Sequence, residues 1–537
     1  MNYSPFPIPS IDRKPMLKKQ SEFILHSLIK IRANPQKFNL FVAADLLILT
    51  IVIRLPFFFK DVINWDESTF ILMGQSILDG HLPYTELWVL KPPGLFFICA
   101  FFIALLGKSI ISIRICGALS VALVSFFTYL IGNTLWNYRT GILGATFFVL
   151  LSSLIQEGNA TMSEHIALVP LVAALSILVR KKITPRILFF TGILIGSAIM
   201  IRLNLAYVSI IIGFFIVFQK PLKAKDIMKR GLAYTAGHFL IISLIYIPYA
   251  VTGNQQILWD SVIVASLSYS NSQLSTLQTL KQHLIYIKET ISNIEKTLFW
   301  ISSLVWIGGL AGIIFKIVQF KSFSEEKRRG LLWLTLFLFG TGISILNSGA
   351  AHIHYLIQII PFMSLAAAAF FNTLFSSKAR WLTISIVVLA LVISVKPVIY
   401  RYDQIASRVL ENKPLTYGST FEIAAYLTQE NPLKEPIYMM TDHLVYWHLN
   451  TKPLTKSTTH PSNISKEYLL NILVDSNAST EAEMTKILSQ KPKFIVKKKN
   501  VWYLSGKIEA RLLLEETLNT DYQLVKEIQK KQIYRRI

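Results

Sequence analysis

Apolar runs recur along most of the chain, near 41–59, 94–106, 114–131, 141–156, 164–180, 187–201, 204–219, 231–250, 297–315, 331–346, 353–375 and 380–396. A helix needs about 20 apolar residues to cross the hydrocarbon core, and the run GLFFICAFFIALL, held between Lys91 and Lys108, is short for that. Loop charge decides how this run is placed. If it lies in the interface and the N-terminus is cytoplasmic, Arg13, Lys14, Lys18 and Lys19, then Arg139, RKKITPR, QKPLKAKDIMKR, FKSFSEEKRR and SSKAR all fall inside, as the positive-inside rule requires. If it spans, RKKITPR and the later basic loops are thrown outside. The pattern therefore predicts a mainly α, polytopic membrane protein with eleven spanning helices and a long first external loop over 60–113.

After about residue 400 the apolar runs shorten. PIYMM and KFIVKK have strand character, while FEIAAYLTQE and EYLLNILVD have helical spacing. The expected organisation is a basic, amphipathic cytoplasmic segment over 1–38, a transmembrane domain over 39–399 and a soluble extracytoplasmic α/β domain over 400–537. No internal repeat and no low-complexity segment interrupts it.

Composition agrees with this class. A chain of 537 residues that is 53% hydrophobic, with mean hydropathy +0.47, is not an ordinary soluble globule. Its net charge of +23 lies in short clusters between apolar runs, which fits anionic headgroups and topology rather than nucleic acid. Cys99 and Cys116 lie in apolar surroundings and match neither a disulfide framework nor a zinc pattern, so they read as small core residues.

The candidate chemistry gathers on the outer face. In INWDESTF, Asp66 and Glu67 follow directly after the first spanning run. A half-desolvated carboxylate there is expected to have a raised pKa and to accept a proton from a hydroxyl; the bland alternative is a hydrated interfacial loop. In LKPPGLFF, Pro92 and Pro93 suit the opening of a helix beside Lys91, and a helix start next to an ammonium suits an anion such as a lipid phosphate. The alternative is a snorkelling lysine. Arg54, Arg202 and Glu164 are charges at helix ends on the same face, where snorkelling or helix capping competes with function. His352, His354 and Tyr355 stand at the outer mouth of a long helix. A histidine pair at i, i+2 would not share a helix face, which argues against a zinc site made by these two alone.

The series WDEST, GHLPYTELWVLKPPG, TMSEHIALVPL and HYLIQIIPF resembles the membrane glycosyltransferases of the GT-C fold. More narrowly it is similar to bacterial relatives of the dolichyl-phosphate-mannose protein mannosyltransferases and of the lipid A aminoarabinose transferase. The likeness runs through the helices to about residue 400 and is densest in the first external loop. It implies an enzyme of a bacterial inner membrane that moves a sugar from a polyprenyl phosphate carrier to a lipid, glycan or protein acceptor at the extracytoplasmic face, with inversion. It implies a catalytic pair in which Asp66 is the general base and Glu67 organises the loop. Lys91 would bind the donor phosphate, His354 and Tyr355 would belong to the donor site, and Glu164 would contact sugar or acceptor. Tyr84, in the G-x-x-PY segment, and His352 join the sugar or acceptor side, and topology adds Arg54 and Arg202 to the phosphate side. No Asp-x-Asp motif is present, so the sequence names no metal ligand, and a divalent cation is left open as a cofactor. Membrane lipids are further expected partners. The competing classes are a flippase or transporter for a lipid-linked sugar, which would favour paired halves and broken midplane helices, and a non-catalytic membrane scaffold, which would not need Asp66 and Lys91 together.

Overall fold

A computed structural model describes residues 34–218, 223–272, 274–474 and 478–537. The amphipathic segment expected over 1–38 lies outside the described residues up to position 33, and with it Arg13, Lys14, Lys18 and Lys19; residues 219–222 of the basic loop also lie outside.

The helices of seven residues or more run α1 (Pro35–Arg54), α2 (Trp65–Leu78), α3 (Gly94–Leu106), α4 (Ile110–Leu135), α5 (Tyr138–Leu154), α6 (Ser163–Arg180), α7 (Pro185–Ile199), α8 (Ala206–Phe218), α9 (Ala224–Val251), α10 (Ala265–Ser272), α11 (Thr276–Ser292), α12 (Thr297–Val318), α13 (Glu325–Leu346), α14 (Ile360–Leu374), α15 (Arg380–Ser394) and α16 (Lys396–Leu410). Among the described residues seven helical stretches are long and apolar enough to cross a membrane: Pro35–Phe57, α4, α6, α9, α12, α13 and Arg380–Leu410. Shorter apolar helices are α3, α5, α7, Leu203–Phe218 and α14.

Local signals set the starts. Asn34 accepts from the N–H groups of Gln36 and Lys37 ahead of α1, with Pro35 in the first turn, where its missing N–H leaves no bond unmade. Ser109 caps α4, Asn137 caps α5, and Thr184 with Pro185 opens α7. Between α1 and α2 Asn64 accepts from the N–H of Asp66 at 2.7 Å and starts α2, so the acidic pair stands in the first turn of a helix. Carboxylates at that position are favoured by the helix dipole.

Helix α3 has 13 residues and is about 20 Å long, against a hydrocarbon core of about 30 Å. It packs on α2 through Gly74, where an added Cβ would meet the Cβ of Cys99 at 2.9 Å; Cys99 and Cys116 are both buried and free. Its first residue is held as closely. The N–H of Gly94 donates to Met200 O at 2.9 Å, and a Cβ on Gly94 would meet that oxygen at 2.5 Å. The helix start is thus docked on the turn that carries Arg202, and this N–H is used by a carbonyl rather than left for an anion.

Beyond α16 come α17 (Ser419–Glu430), β1 (Ile437–Met439), α18 (Glu467–Leu473), α19 (Thr480–Ser489), β2 (Phe494–Lys498), α20 (Ile508–Asp521), β3 (Tyr522–Ile528) and β4 (Lys531–Arg536). The sheet order is β1-β2-β4-β3, with β1 parallel to β2 and the other pairs antiparallel. The strand character of PIYMM and KFIVKK is realised in β1 and β2, and FEIAAYLTQE and EYLLNILVD are helical in α17 and α18.

A polar clasp joins this part to the end of the first helix. Tyr417 N donates to Phe59 O at 3.0 Å and Asp61 N to Tyr417 O at 2.9 Å. The Asp61 carboxylate accepts from Thr420 N at 3.0 Å. Beside it Asp442 accepts from Ser419, at 2.8 Å, and Thr420, at 3.0 Å, and pairs with Lys531 of β4 at 2.9 Å.

Candidate functional site

The first turn of α2 sends its two acids in different directions. Glu67 is 1% exposed; its Oε2 pairs with Arg114 Nη2 at 2.6 Å and its Oε1 accepts from Thr161 N at 2.6 Å. Arg114 also donates to Phe57 O and Asp61 O, both at 2.9 Å. Arg54 donates to the carbonyls of Gly158 at 2.7 Å, Asn159 at 3.1 Å and Ala160 at 3.0 Å. Two buried arginines and Glu67 therefore tie the segment that follows α1 to the segment between α5 and α6, and none of the three lines the cavity described next.

Asp66 faces a cavity of about 840 Å³. Its walls include Trp65, Asp66 and Lys91 from the first loop, Glu157 from the second, Tyr269, then His352, His354 and Tyr355, and His460, Asn463, Lys466, Lys498 and Trp502 from beyond residue 400. Lys91 Nζ stands 3.7 Å from Asp66 Oδ2, and His460 Nε2 stands 3.6 Å from Oδ1. Lys91 also faces the Tyr355 ring at 5.9 Å. The backbone that carries it is fixed by Tyr84, a buried residue at φ 74°, whose hydroxyl donates to Lys91 O at 2.5 Å. Tyr84 holds the lysine's main chain and does not line the cavity.

The sign of the Asp66 shift reverses the sequence expectation. Burial alone pushes this carboxyl up, but the Lys91 ammonium, with His460, His354 and His352 around it, more than offsets burial and holds the pKa well below the usual carboxylate range. Burial also lowers the histidines, His352 to about 4 and His460 to about 3. At neutral pH the cavity thus holds an ionised Asp66 beside the neutral imidazoles of His352 and His460.

Behind this surface Arg202 and Glu164 form a buried ion pair, and Arg202 also donates to Ser163 Oγ at 2.9 Å and lies over the Tyr355 ring at 4.7 Å. His354 connects the pair to the cavity, with Nδ1 2.8 Å from Glu157 Oε2 and Nε2 3.8 Å from Glu164 Oε1. Neither Glu164 nor Arg202 lines the cavity. The rings of His352 and His354 stack at 5.4 Å, because His352 is extended (φ −69°, ψ 133°) and precedes a 3-10 turn over Ile353–Gln358; the helix-face argument made from sequence does not apply to this backbone. Among the described residues no group of three or more His, Cys, Asp or Glu side chains is arranged to hold a metal ion.

Residues 90–249 match the family model described as dolichyl-phosphate-mannose-protein mannosyltransferase. No curated protein sequence matches the chain. Among solved structures it is similar to ArnT from Cupriavidus metallidurans bound to undecaprenyl phosphate, with 13% identity, TM-score 0.58, and coverage of 93% of this chain and 98% of that one. It is also similar to the archaeal oligosaccharyltransferase AglB from Archaeoglobus fulgidus in complex with an inhibitory peptide and a dolichol-phosphate, with 12% identity, TM-score 0.51, and coverage of 93% and 74%. The fold is that of the GT-C membrane glycosyltransferases.

With this fold and, among the described residues, seven helical stretches long and apolar enough to cross a membrane, the chain is an integral membrane protein. The wall beyond residue 400 is not among the residues the sequence singles out. Trp65 stacks on Trp502 at 6.2 Å and meets His460 edge-on at 5.8 Å, while His443 Nε2 lies 2.9 Å from Thr69 Oγ1. The residue next to Asp66 is therefore gripped by the C-terminal part. The sequence signal for this was slight: a polar THPSNISK stretch with one histidine and one lysine.

Proposed function

We propose that this chain transfers a sugar from a polyprenyl phosphate carrier to a lipid, glycan or protein acceptor at the extracytoplasmic face of a bacterial inner membrane, with inversion. The observation that carries the reading is the Asp66–Lys91 pair, 3.7 Å apart, inside a cavity large enough for a sugar and an acceptor group. In this reading the seven long helices and four of the shorter ones make eleven spans, α3 lies along the outer boundary, and the part beyond residue 400 caps the cavity from outside.

The chemistry follows from the two charges. The acceptor oxygen forms its bond to the anomeric carbon as the bond from that carbon to the phosphate oxygen breaks. The acceptor proton passes to Asp66 and the polyprenyl phosphate leaves as the anion. Lys91 stabilises the developing charge on the leaving oxygen. While Lys91 faces Asp66 alone, the carboxylate is a weak base. A donor phosphate bound to Lys91 neutralises that ammonium, burial then dominates, and the basicity of Asp66 rises only when donor is present. His354 and Tyr355 stand on the donor side, and the Arg202–Glu164 pair supports Tyr355 from behind.

The test is to incubate purified protein with radiolabelled polyprenyl-phosphate sugars and a total membrane extract, and to follow which label moves. Asp66→Asn should lower transfer by roughly 10²- to 10⁴-fold while leaving carrier binding intact. A native protein that consumes none of the donors, or a fully active Asp66→Asn, would sink the reading.

A further inference from the structure

Three lysines line the cavity, and among the described residues only Lys91 has a carboxylate within ion-pair distance; Lys498 lies over the Trp65 ring at 5.6 Å. Lys91 is paired with Asp66. Lys466 comes from the C-terminal part, where it follows a 3-10 turn over Pro461–Ser465 and lies half-buried with its Nζ 5.9 Å from the Tyr269 ring. Among the described residues no carboxylate stands within ion-pair distance of it. Burial brings its pKa down to about 8, so it is mostly charged at neutral pH despite the cost of holding an uncompensated cation.

A second donor beside it is also unused. Asn463 is 3% exposed and lines the same cavity, and its Nδ2 has no partner among the described residues. The neighbouring hydroxyls are otherwise engaged: Ser465 donates to Ser462 O at 2.9 Å, and Ser462 Oγ contacts His460 Nδ1 at 3.0 Å. A buried amide donor without an acceptor is costly, and a half-buried ammonium without an anion is costlier. An oxyanion placed between them satisfies both.

We propose that Asn463 and Lys466 form a second oxyanion subsite that receives a phosphate or carboxylate carried by the acceptor. This rests on the glycosyl-transfer reading, in which Lys91 on the first-loop wall is taken by the donor phosphate. Asp66 and Lys466 line the same cavity, so an anion held at Lys466 shares that space with the base. It would orient the hydroxyl to be deprotonated. The substrate class is thereby narrowed to acceptors with an anionic group near the reacting hydroxyl.

The full-length protein in detergent is first saturated with undecaprenyl phosphate, and inorganic phosphate is then titrated at pH 7 by calorimetry. The loaded protein should bind phosphate, Lys466→Met should weaken it roughly 10-fold or more, and Asn463→Leu should act in the same direction. Lys91→Met should weaken the carrier instead and serves as the converse control. Unchanged phosphate affinity in Lys466→Met overturns the proposal. Loading with undecaprenyl diphosphate tests the source of the anion. It should leave the phosphate site open, and displacement of phosphate by the diphosphate carrier would move the anion to the donor and overturn the acceptor assignment. Failure of the native protein to take up undecaprenyl phosphate in the first step counts against the glycosyl-transfer reading itself, a result distinct from an unchanged phosphate affinity.

Discussion

His460 Nε2 lies 3.6 Å from Asp66 Oδ1, on the opposite oxygen from Lys91. The backbone N–H of Ser462 donates to His460 Nδ1 at 3.3 Å, so the neutral ring carries its proton on Nε2, facing the carboxylate. Burial keeps this imidazole neutral, with a pKa of about 3. It therefore offers Asp66 a hydrogen-bond donor and is unsuited to take the acceptor proton itself.

His460→Gln should keep part of the activity and His460→Ala should lose more, about 10-fold in kcat with little change in KM for the carrier. Steady-state kinetics on both variants checks this. A fall confined to KM would assign His460 to substrate binding instead.

Removing Lys91 should change the titration of Asp66 in a defined direction. The folded pKa of Asp66 is depressed, so the group adds stability above its unfolded value of about 3.9, and this is lost as pH falls through the folded value. In Lys91→Met burial is no longer offset and the pKa rises. The melting temperature of the variant should therefore fall further below that of the native protein at pH 7 than at pH 4, which parallel melts at the two values will show.

The clasp at the end of the first helix contains two aspartates with opposite signs. Asp61 is raised, by burial first and by Asp442 in part, so its ionised form costs stability at neutral pH; the cost shrinks as pH falls below the folded value and is gone below the unfolded one. Asp442 is lowered despite burial, because Lys531 and its hydrogen-bond donors outweigh it, so it stabilises above the ordinary carboxylate range and that contribution is lost on acidification. Asp61→Asn should leave the pH 7 melting temperature unchanged or higher, whereas Asp442→Asn should cost about 1–3 kcal/mol. Equal losses in the two would contradict the assignment.

Glu164→Gln leaves Arg202 buried without its counter-charge and should cost about 3–5 kcal/mol. The double replacement Glu164→Leu with Arg202→Met should recover much of that stability while leaving Tyr355 unsupported. A double variant no more stable than the single one would mean that the pair does more than neutralise itself.

Anion binding at Lys466 should weaken as pH rises from 7 to 9, because the ammonium deprotonates near 8. Asp66 opposes that deprotonation, Lys91 favours it, and Tyr269 and His460 complete the surroundings. Sulfate, whose charge is constant over this interval, is the suitable ligand for a calorimetric series.

How much could be read in the chain followed the range of the interactions. The acidic pair, KPP and the short helix α3 announced themselves by spacing, because each depends on neighbours within one or two turns. Glu164 and Arg202 were each legible as a charge at a helix end, but not as partners, since 38 residues separate them. The shift of Asp66 was expected with the wrong sign, because burial can be inferred from an apolar flank whereas a lysine 25 positions later at 3.7 Å cannot. His460 and Lys466 were missed because the wall they belong to exists only once a sheet of mixed direction has formed and docked.

The clasp has a consequence for biosynthesis. Asp442 is completed by Lys531, so the grip on the start of α2 waits for β4. A ribosome that has made every membrane helix has still produced a cavity without His460 or Lys466 in place. On the proposed function, a carrier bound before β4 is in place would meet Asp66 in a cavity still lacking that wall.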